Sequence, residues 1–345
     1  MAAGVSDELL RRLRLAAQGL TPGTAGADAA AATRIVVGVQ AQDVRAAGLA
    51  LRSRVPGLRQ QDVTSSGLVR TWTMRGTVHL HDPDDLPWLD AVFGPRNRTR
   101  FETALRQRGG YATATAMLDD LLALLTERPL DRASLLSELA GRGHPALGPR
   151  SVNVLMPWAA VQGLVAGLPD GRYRAASPPP ALDADAALAT LAGRYLAGYG
   201  PASAADLAWW SGLPLSTARR ALAAVQYTET VGDLVALPGT FEVAPPVAPA
   251  ALLLAAFDTT MLGYRSREPL VAAAHDRHVL PGGGMLRPVL LIGGQAAATW
   301  GAPIRAGRPA VVVEWFGDPA PSAELDAEMR RVAEFLTQPG PPSGE

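Results

Sequence analysis

The string Gln40-Ala41-Gln42-Asp43 puts two carboxamides and a carboxylate within four residues of an otherwise apolar, helix-forming run, residues 34–51. A carboxamide is no base at physiological pH, but its carbonyl can hold a water and its NH₂ can orient one. On a regular helix, side chains two residues apart diverge by roughly 200°. The two amides converge only if the backbone leaves the helix between them. Asp43 is placed to cap a new helix over residues 44–49, which would leave Gln40 and Gln42 at a turn between two helices, facing a substrate. By spacing alone, the same string also fits a solvated turn.

Composition narrows the chemistry. There is no cysteine, so disulfides, thiolate metal sites and cysteine nucleophiles are excluded. The five histidines (79, 81, 144, 275 and 278) include two close pairs, but neither has a ligand-rich setting, and no metal or cofactor is expected. All 32 basic side chains are arginine. Without lysine there is no side-chain amine for a Schiff base and no lysine to grip a phosphate in a P-loop. The sequence has neither a signal-like apolar segment nor a run long enough to span a bilayer, which reads as a cytoplasmic protein with no membrane partner.

Net charge is zero but unevenly spread. Residues 1–110 hold 15 Arg against 10 acids, residues 111–247 hold 9 against 12, and residues 248–345 hold 8 against 10. A basic first module suits a polyanionic partner. Arg96-Asn97-Arg98-Thr99-Arg100 is its densest patch, with the phosphate-compatible guanidinium at alternate positions. A solvated helix face is the other reading.

The elements that must position these residues follow from turn and periodicity signals, and an α+β fold of four modules is expected. Residues 1–110 hold helices over 27–39 and 44–54, then a strand over 68–74 that turns at Arg75-Gly76 into a second strand over 77–80. Residues 111–180 hold helices from Leu130 and over 151–165, then a hairpin through Leu168-Pro169-Asp170-Gly171-Arg172-Tyr173. Residues 181–247 give the clearest case: a capped helix over 201–210, a break at Ser211-Gly212-Leu213-Pro214, a helix over 216–225, and a hairpin over 231–237. Helix, tight turn, helix and hairpin is the winged-helix layout. Residues 248–345 read as strands over 250–257, 287–292, 295–300 and 310–315 in a small barrel-like module, then a helix over 322–336 and a disordered tail. Trp72, Trp209 and Trp210 are expected in the core.

Four strings occur in one order: Val37-Gly38-Val39-Gln40-Ala41-Gln42; Arg70-Thr71-Trp72-Thr73-Met74-Arg75-Gly76-Thr77-Val78-His79-Leu80; Phe257-Asp258-Thr259-Thr260-Met261-Leu262-Gly263-Tyr264-Arg265-Ser266-Arg267; and Leu280-Pro281-Gly282-Gly283-Gly284. Together they resemble the AlkZ-like winged-helix DNA glycosylases, over roughly residues 8–335. One departure is Thr260-Met261, where the family has an aromatic–leucine pair. The resemblance implies hydrolysis of the N-glycosidic bond of alkylated purines in double-stranded DNA, including bulky N7-guanine adducts and sometimes interstrand crosslinks. It makes Gln40 and Gln42 the catalytic pair of the resistance-type branch; the YcaQ branch has Asp at the second position.

Asp43 is then a candidate for electrostatic support as well as a cap. Arg75, Gly76 and His79 read as a hairpin probe contacting DNA. Tyr264, Arg265 and Arg267 suit backbone contact or stacking, and Arg98 and Arg100 suit phosphates. Asp258 is expected to anchor its loop internally. The chain is expected to act as a monomer. A winged-helix transcriptional regulator, or a protein that sequesters a genotoxin without catalysis, shares the modules but gives no role to the glutamine pair.

Overall fold

The chain leaves its second helix, Ala29–Ile35, through Val36, and Val37 takes a left-handed conformation with φ 66°. Gly38 follows, at a point where a Cβ would collide with the His81 ring. These two residues turn the chain so that Val39–Gln40 pairs as a short strand with Val78–His81, placing Gln40 opposite His79. Helix Val44–Arg52 then starts on the Asp43 cap, as the sequence predicts. Gln40 therefore sits at the end of an edge strand, not at a helix–helix turn. A computed structural model supplies this description, which covers residues 5–339. The chain's amino terminus and the tail beyond residue 339, expected to be disordered, lie outside the described residues.

The edge strand belongs to an antiparallel five-stranded sheet in the order Val39–Gln40, Val78–His81, Val69–Trp72, Val165–Gly167, Tyr173–Ala175. The hairpin expected around Pro169-Asp170-Gly171 is present, with Gly171 at φ 91°, and it joins this sheet across Arg70 and Gly167. One sheet thus spans residues on both sides of position 110. Helix Leu86–Gln107 packs on helices Pro149–Val161 and Ala184–Tyr199. Two apolar cores result. One gathers side chains from the first hundred residues together with those beyond 187, and the other is built from Leu105 to Tyr173.

Residues 203–236 follow the expected order. Ser203 and Asp206 form a reciprocal capping box at the start of helix Ala204–Ser211. Gly212 ends that helix at φ 75°, helix Leu215–Ala223 follows, and Glu229–Val231 pairs with Leu234–Ala236. The last quarter contains the four expected strands and the helix after them, but no closed barrel. Its strands Ala251–Leu254, Val289–Ile292, Gln295–Gly301 and Val312–Trp315 form an open sheet, and no bond joins the first strand to the last. Helix Ala323–Thr337 packs against the Ala251–Leu254 edge strand, whose Leu253 N–H donates to Glu328 Oε1 at 3.3 Å. No described helix is long and apolar enough to cross a membrane.

A buried polar cluster ties these parts together. Arg54 and Asp258, both side chains 0% exposed, meet through two parallel bonds of 2.9 Å. Arg54 also donates to Thr259 Oγ1 at 2.9 Å, Thr260 Oγ1 at 3.0 Å and the Ala50 carbonyl at 2.8 Å. Thr260, the departure from the family's pattern, thus supplies one of the oxygens that satisfy the guanidinium. Burial by itself disfavours both charges. Their mutual attraction outweighs it, raising the pKa of Arg54 and lowering that of Asp258. Asp258 anchors its loop as expected. Removing one partner strands the other charge, so Asp258→Asn should destabilise the chain by about 3–5 kcal/mol. Replacing both with apolar residues, Arg54→Met/Asp258→Leu, should cost less than either single change. Urea unfolding of the four proteins checks this, and a double variant less stable than both singles contradicts it.

Candidate active site

Gln40 is 7% exposed, while Gln42 lies at the surface. Their amides meet: Gln40 Nε2 donates to Gln42 Oε1 at 2.9 Å. The convergence that a continuous helix forbids is achieved by the strand-to-helix transition at Ala41–Asp43. Asp43 Oδ1 accepts from the backbone N–H of Arg45 (2.8 Å) and Ala46 (3.1 Å), which fixes where the helix begins and hence where Gln42 points.

Arg75 sets the orientation of the first amide. It occupies a left-handed position (φ 55°) in the Met74–Gly76 turn, and from there Nη2 donates to Gln40 Oε1 at 3.2 Å while Nη1 donates to the Trp210 carbonyl. A guanidinium only donates, so Gln40 must present its oxygen to Arg75 and its NH₂ to Gln42. Left-handed backbone at non-glycine residues costs about 1–3 kcal/mol each. Both such residues in this region, Val37 and Arg75, position the Gln40 strand or its amide. Burial lowers the pKa of Arg75, which remains a cation.

His79 pairs across the sheet with Gln40, so both side chains stand on one face. It is 2% exposed and does not project from a hairpin tip as a probe would. Its Nδ1 lies 3.0 Å from the Thr77 carbonyl, and His81 Nδ1 lies 2.9 Å from the Val37 carbonyl. A carbonyl only accepts, so both rings carry their proton on Nδ1. The Thr73 hydroxyl sits 2.8 Å from His81 Nε2, to which it donates, and 3.3 Å from His79 Nδ1. His79 Nε2 keeps a free lone pair among the described residues. Burial, then the Arg75 charge, hold His79 well below its ordinary pKa; burial takes His81 to about 4. Both rings are neutral near pH 7.

The other expected contacts are dispersed. Arg98 is spent on Asp90 at 2.8 Å and on the Val161 carbonyl at 3.2 Å. Arg100 is exposed and donates to the Arg75 carbonyl at 2.7 Å, its guanidinium lying over Gly76. Arg96, Arg98 and Arg100 alternate in sequence, but they sit on a helix, where positions four apart share a face; Arg96 therefore goes with Arg100 and Arg98 does not. Tyr264 is 1% exposed, with its hydroxyl donating to the Tyr199 carbonyl at 3.0 Å and Arg14 over its ring, so it offers no face for stacking on a nucleotide. Arg267 pairs with Asp276 at 2.6 Å. Arg265 is exposed and lines a separate cavity of about 710 Å³ that none of Gln40, Gln42, Arg75 or His79 borders.

Three features were missed from sequence. The Trp210 carbonyl grips Arg75, and backbone acceptors leave no residue-type signal. Trp209, expected in the core, is 48% exposed, because its neighbour Trp210 takes the buried position against Tyr195 and Tyr199. A two-residue hairpin, Ile304–Arg305 with Arg308–Pro309, carries exposed arginines, and its Gly307 was the available turn signal. No three His, Asp or Glu side chains among the described residues converge as metal ligands would.

A family profile described as DNA glycosylase AlkZ-like matches residues 33–335. The solved structure of the Streptomyces sahachiroi DNA glycosylase AlkZ superposes with a TM-score of 0.75, covering 97% of each chain at 20% sequence identity. No curated protein matches the chain.

The neutral histidines give stability a pH dependence. Unfolded, both titrate near 6.5; folded, His81 titrates at about 4 and His79 well below its unfolded value. Between those limits the unfolded chain binds more protons, so this contribution is complete above about pH 6.5 and is lost as pH falls. Unfolding free energy should decline across that window, by up to about 1.4 kcal/mol per pH unit for each histidine. In His81→Gln the decline should be shallower, and an unchanged slope contradicts the assignment.

Proposed function

The chain belongs to the AlkZ-like DNA glycosylases, and we propose that it hydrolyses the N-glycosidic bond of N7-alkylated purines in duplex DNA, bulky adducts included. What carries this reading is the locked amide pair, with Gln40 bonded at 2.9 Å to Gln42 and held from behind by Arg75. In that arrangement Gln42 keeps its NH₂ and both carbonyls keep a lone pair for a water, and His79 Nε2 offers a further acceptor on the same face. Alkylation at N7 already places a positive charge on the base. It departs as a neutral purine without a general acid, and the protein needs only to orient water and stabilise an oxocarbenium-like sugar. Asp43 uses one oxygen for its cap and keeps the other for that electrostatic support.

Of the residues expected on DNA, Arg100 and Arg265 are exposed and are assigned to contact it, while Arg75 is reassigned from phosphate contact to holding Gln40. We read residues 203–236 as a winged helix. The modules 1–110, 111–180 and 181–247, with the β module 248–345, would cup the duplex as a monomer, leaving a bulky adduct in the groove. Repair of alkylated DNA, or self-resistance to a genotoxic natural product, is the corresponding role.

Gln40→Ala and Gln42→Ala should each slow release of free base from N7-methylguanine duplex by at least about tenfold, or 1.4 kcal/mol of barrier, with little change in affinity for undamaged DNA. Lacking lysine, the enzyme should leave an intact strand bearing an abasic site, and borohydride during turnover should trap no adduct. Full activity in the double alanine variant removes the catalytic assignment, and a trapped covalent species removes water as nucleophile.

A further inference from the structure

Between helix Leu86–Gln107 and the turn after helix Ala204–Ser211 lies a groove of about 350 Å³, bordered by Arg75, Arg96, Asn97, Arg100, Gly76 and Gly212. None of its lining residues is acidic. Its three arginines make no ion pair among the described residues, whereas Arg98 and Arg106 on the same helix pair with Asp90 and Glu102. Arg96 and Arg100 stand four residues apart on one helix face, where like charges repel.

Backbone carbonyls hold these side chains in place. Arg96 Nη1 donates to Gly212 at 2.5 Å, and Arg100 Nη1 donates to Arg75 at 2.7 Å. Each guanidinium has five N–H donors and commits one, so most of their capacity is unassigned. Gly76 and Gly212, both at positive φ, leave the room: a Cβ on Gly76 would collide with the Arg100 guanidinium, and one on Gly212 would press on Arg75.

We propose that this groove seats one backbone phosphate beside the damaged nucleotide, gripped by Arg96 and Arg100. The assignment rests on the glycosylase reading for its substrate. It also resolves an electrostatic conflict in that reading. Arg75 places a cation one amide away from the reacting sugar, where it opposes the positive charge that develops there. A phosphate between Arg96 and Arg100 lies beside Arg75, whose backbone and Cγ border the groove while its guanidinium reaches Gln40, so the substrate supplies a charge that offsets that cation.

The test uses short duplexes carrying a tetrahydrofuran abasic analogue. One uncharged methylphosphonate replaces each phosphate in turn within three nucleotides of that site, and affinity is measured for the full chain and for Arg96→Ala/Arg100→Ala. One linkage, or two adjacent ones, should weaken binding by the unsubstituted chain about tenfold or more, with little further loss in the variant, whose salt dependence should also be shallower. Equal methylphosphonate penalties in both proteins at every position overturn the proposal. The analogue has no glycosidic bond, so this outcome is independent of the amide chemistry; base release from N7-methylguanine duplex, run in parallel, judges that reading separately.

Discussion

The Arg54–Asp258 pair is the constraint on which the site depends. Two fully buried charges coexist here because their attraction is backed by hydrogen bonds from both terminal nitrogens of the guanidinium, Nε alone of its nitrogens lacking a partner. Here those partners come from separate parts of the chain: Ala50 on the helix that follows the glutamines, and Thr259 and Thr260 on the loop after the first strand of the C-terminal sheet. Gln18 extends the cluster, bridging Thr260 at 3.1 Å and Tyr264 at 3.1 Å. Tyr199 then donates to the Val36 carbonyl at 2.9 Å, one residue before the chain turns toward Gln40. The two ends of the glutamine segment are thus fixed by one network that joins the first sixty residues to Tyr199 and to residues 258–264.

With those ends fixed, the segment between them has little freedom. Val37 and Arg75 hold left-handed conformations that an unconstrained chain would leave, and packing against His81 and Trp210 keeps them there. The result is a line of hydrogen bonds from the Trp210 carbonyl through Arg75 and Gln40 to Gln42, which leaves a polar surface at its outer end. The groups in this line either do not titrate or stay in one protonation state near neutrality. Such a site suits a reaction whose leaving group has been activated before it arrives.

Much of this was legible in the sequence. The new helix expected to start at the Asp43 cap is present, and so are the helices expected over 201–210 and 322–336, which the structure starts on Ser203 and Ser322. What could not be read was tertiary. The strand character of Val39–Gln40 exists only because a distant hairpin offers an edge, and two residues carry no periodicity. The alternating arginines after Pro95 suggested one patch, whereas helical geometry sends Arg98 to an ion pair and leaves Arg96 with Arg100. The Tyr264 string was recognisable as a motif, but its burial depends on Arg14, Gln18 and Tyr199, none of which is near it in sequence.

The central claim is that oriented amides and a pre-activated leaving group carry the reaction without a titrating acid or base. The pH profile of the single-turnover rate of base release, on N7-methylguanine duplex at constant ionic strength, tests this most directly. The account predicts a flat profile between about pH 6 and 9, because the glutamines do not ionise and burial holds His79 well below its ordinary pKa. A limb of unit slope within that range, abolished by replacing a carboxylate or His79, would contradict it.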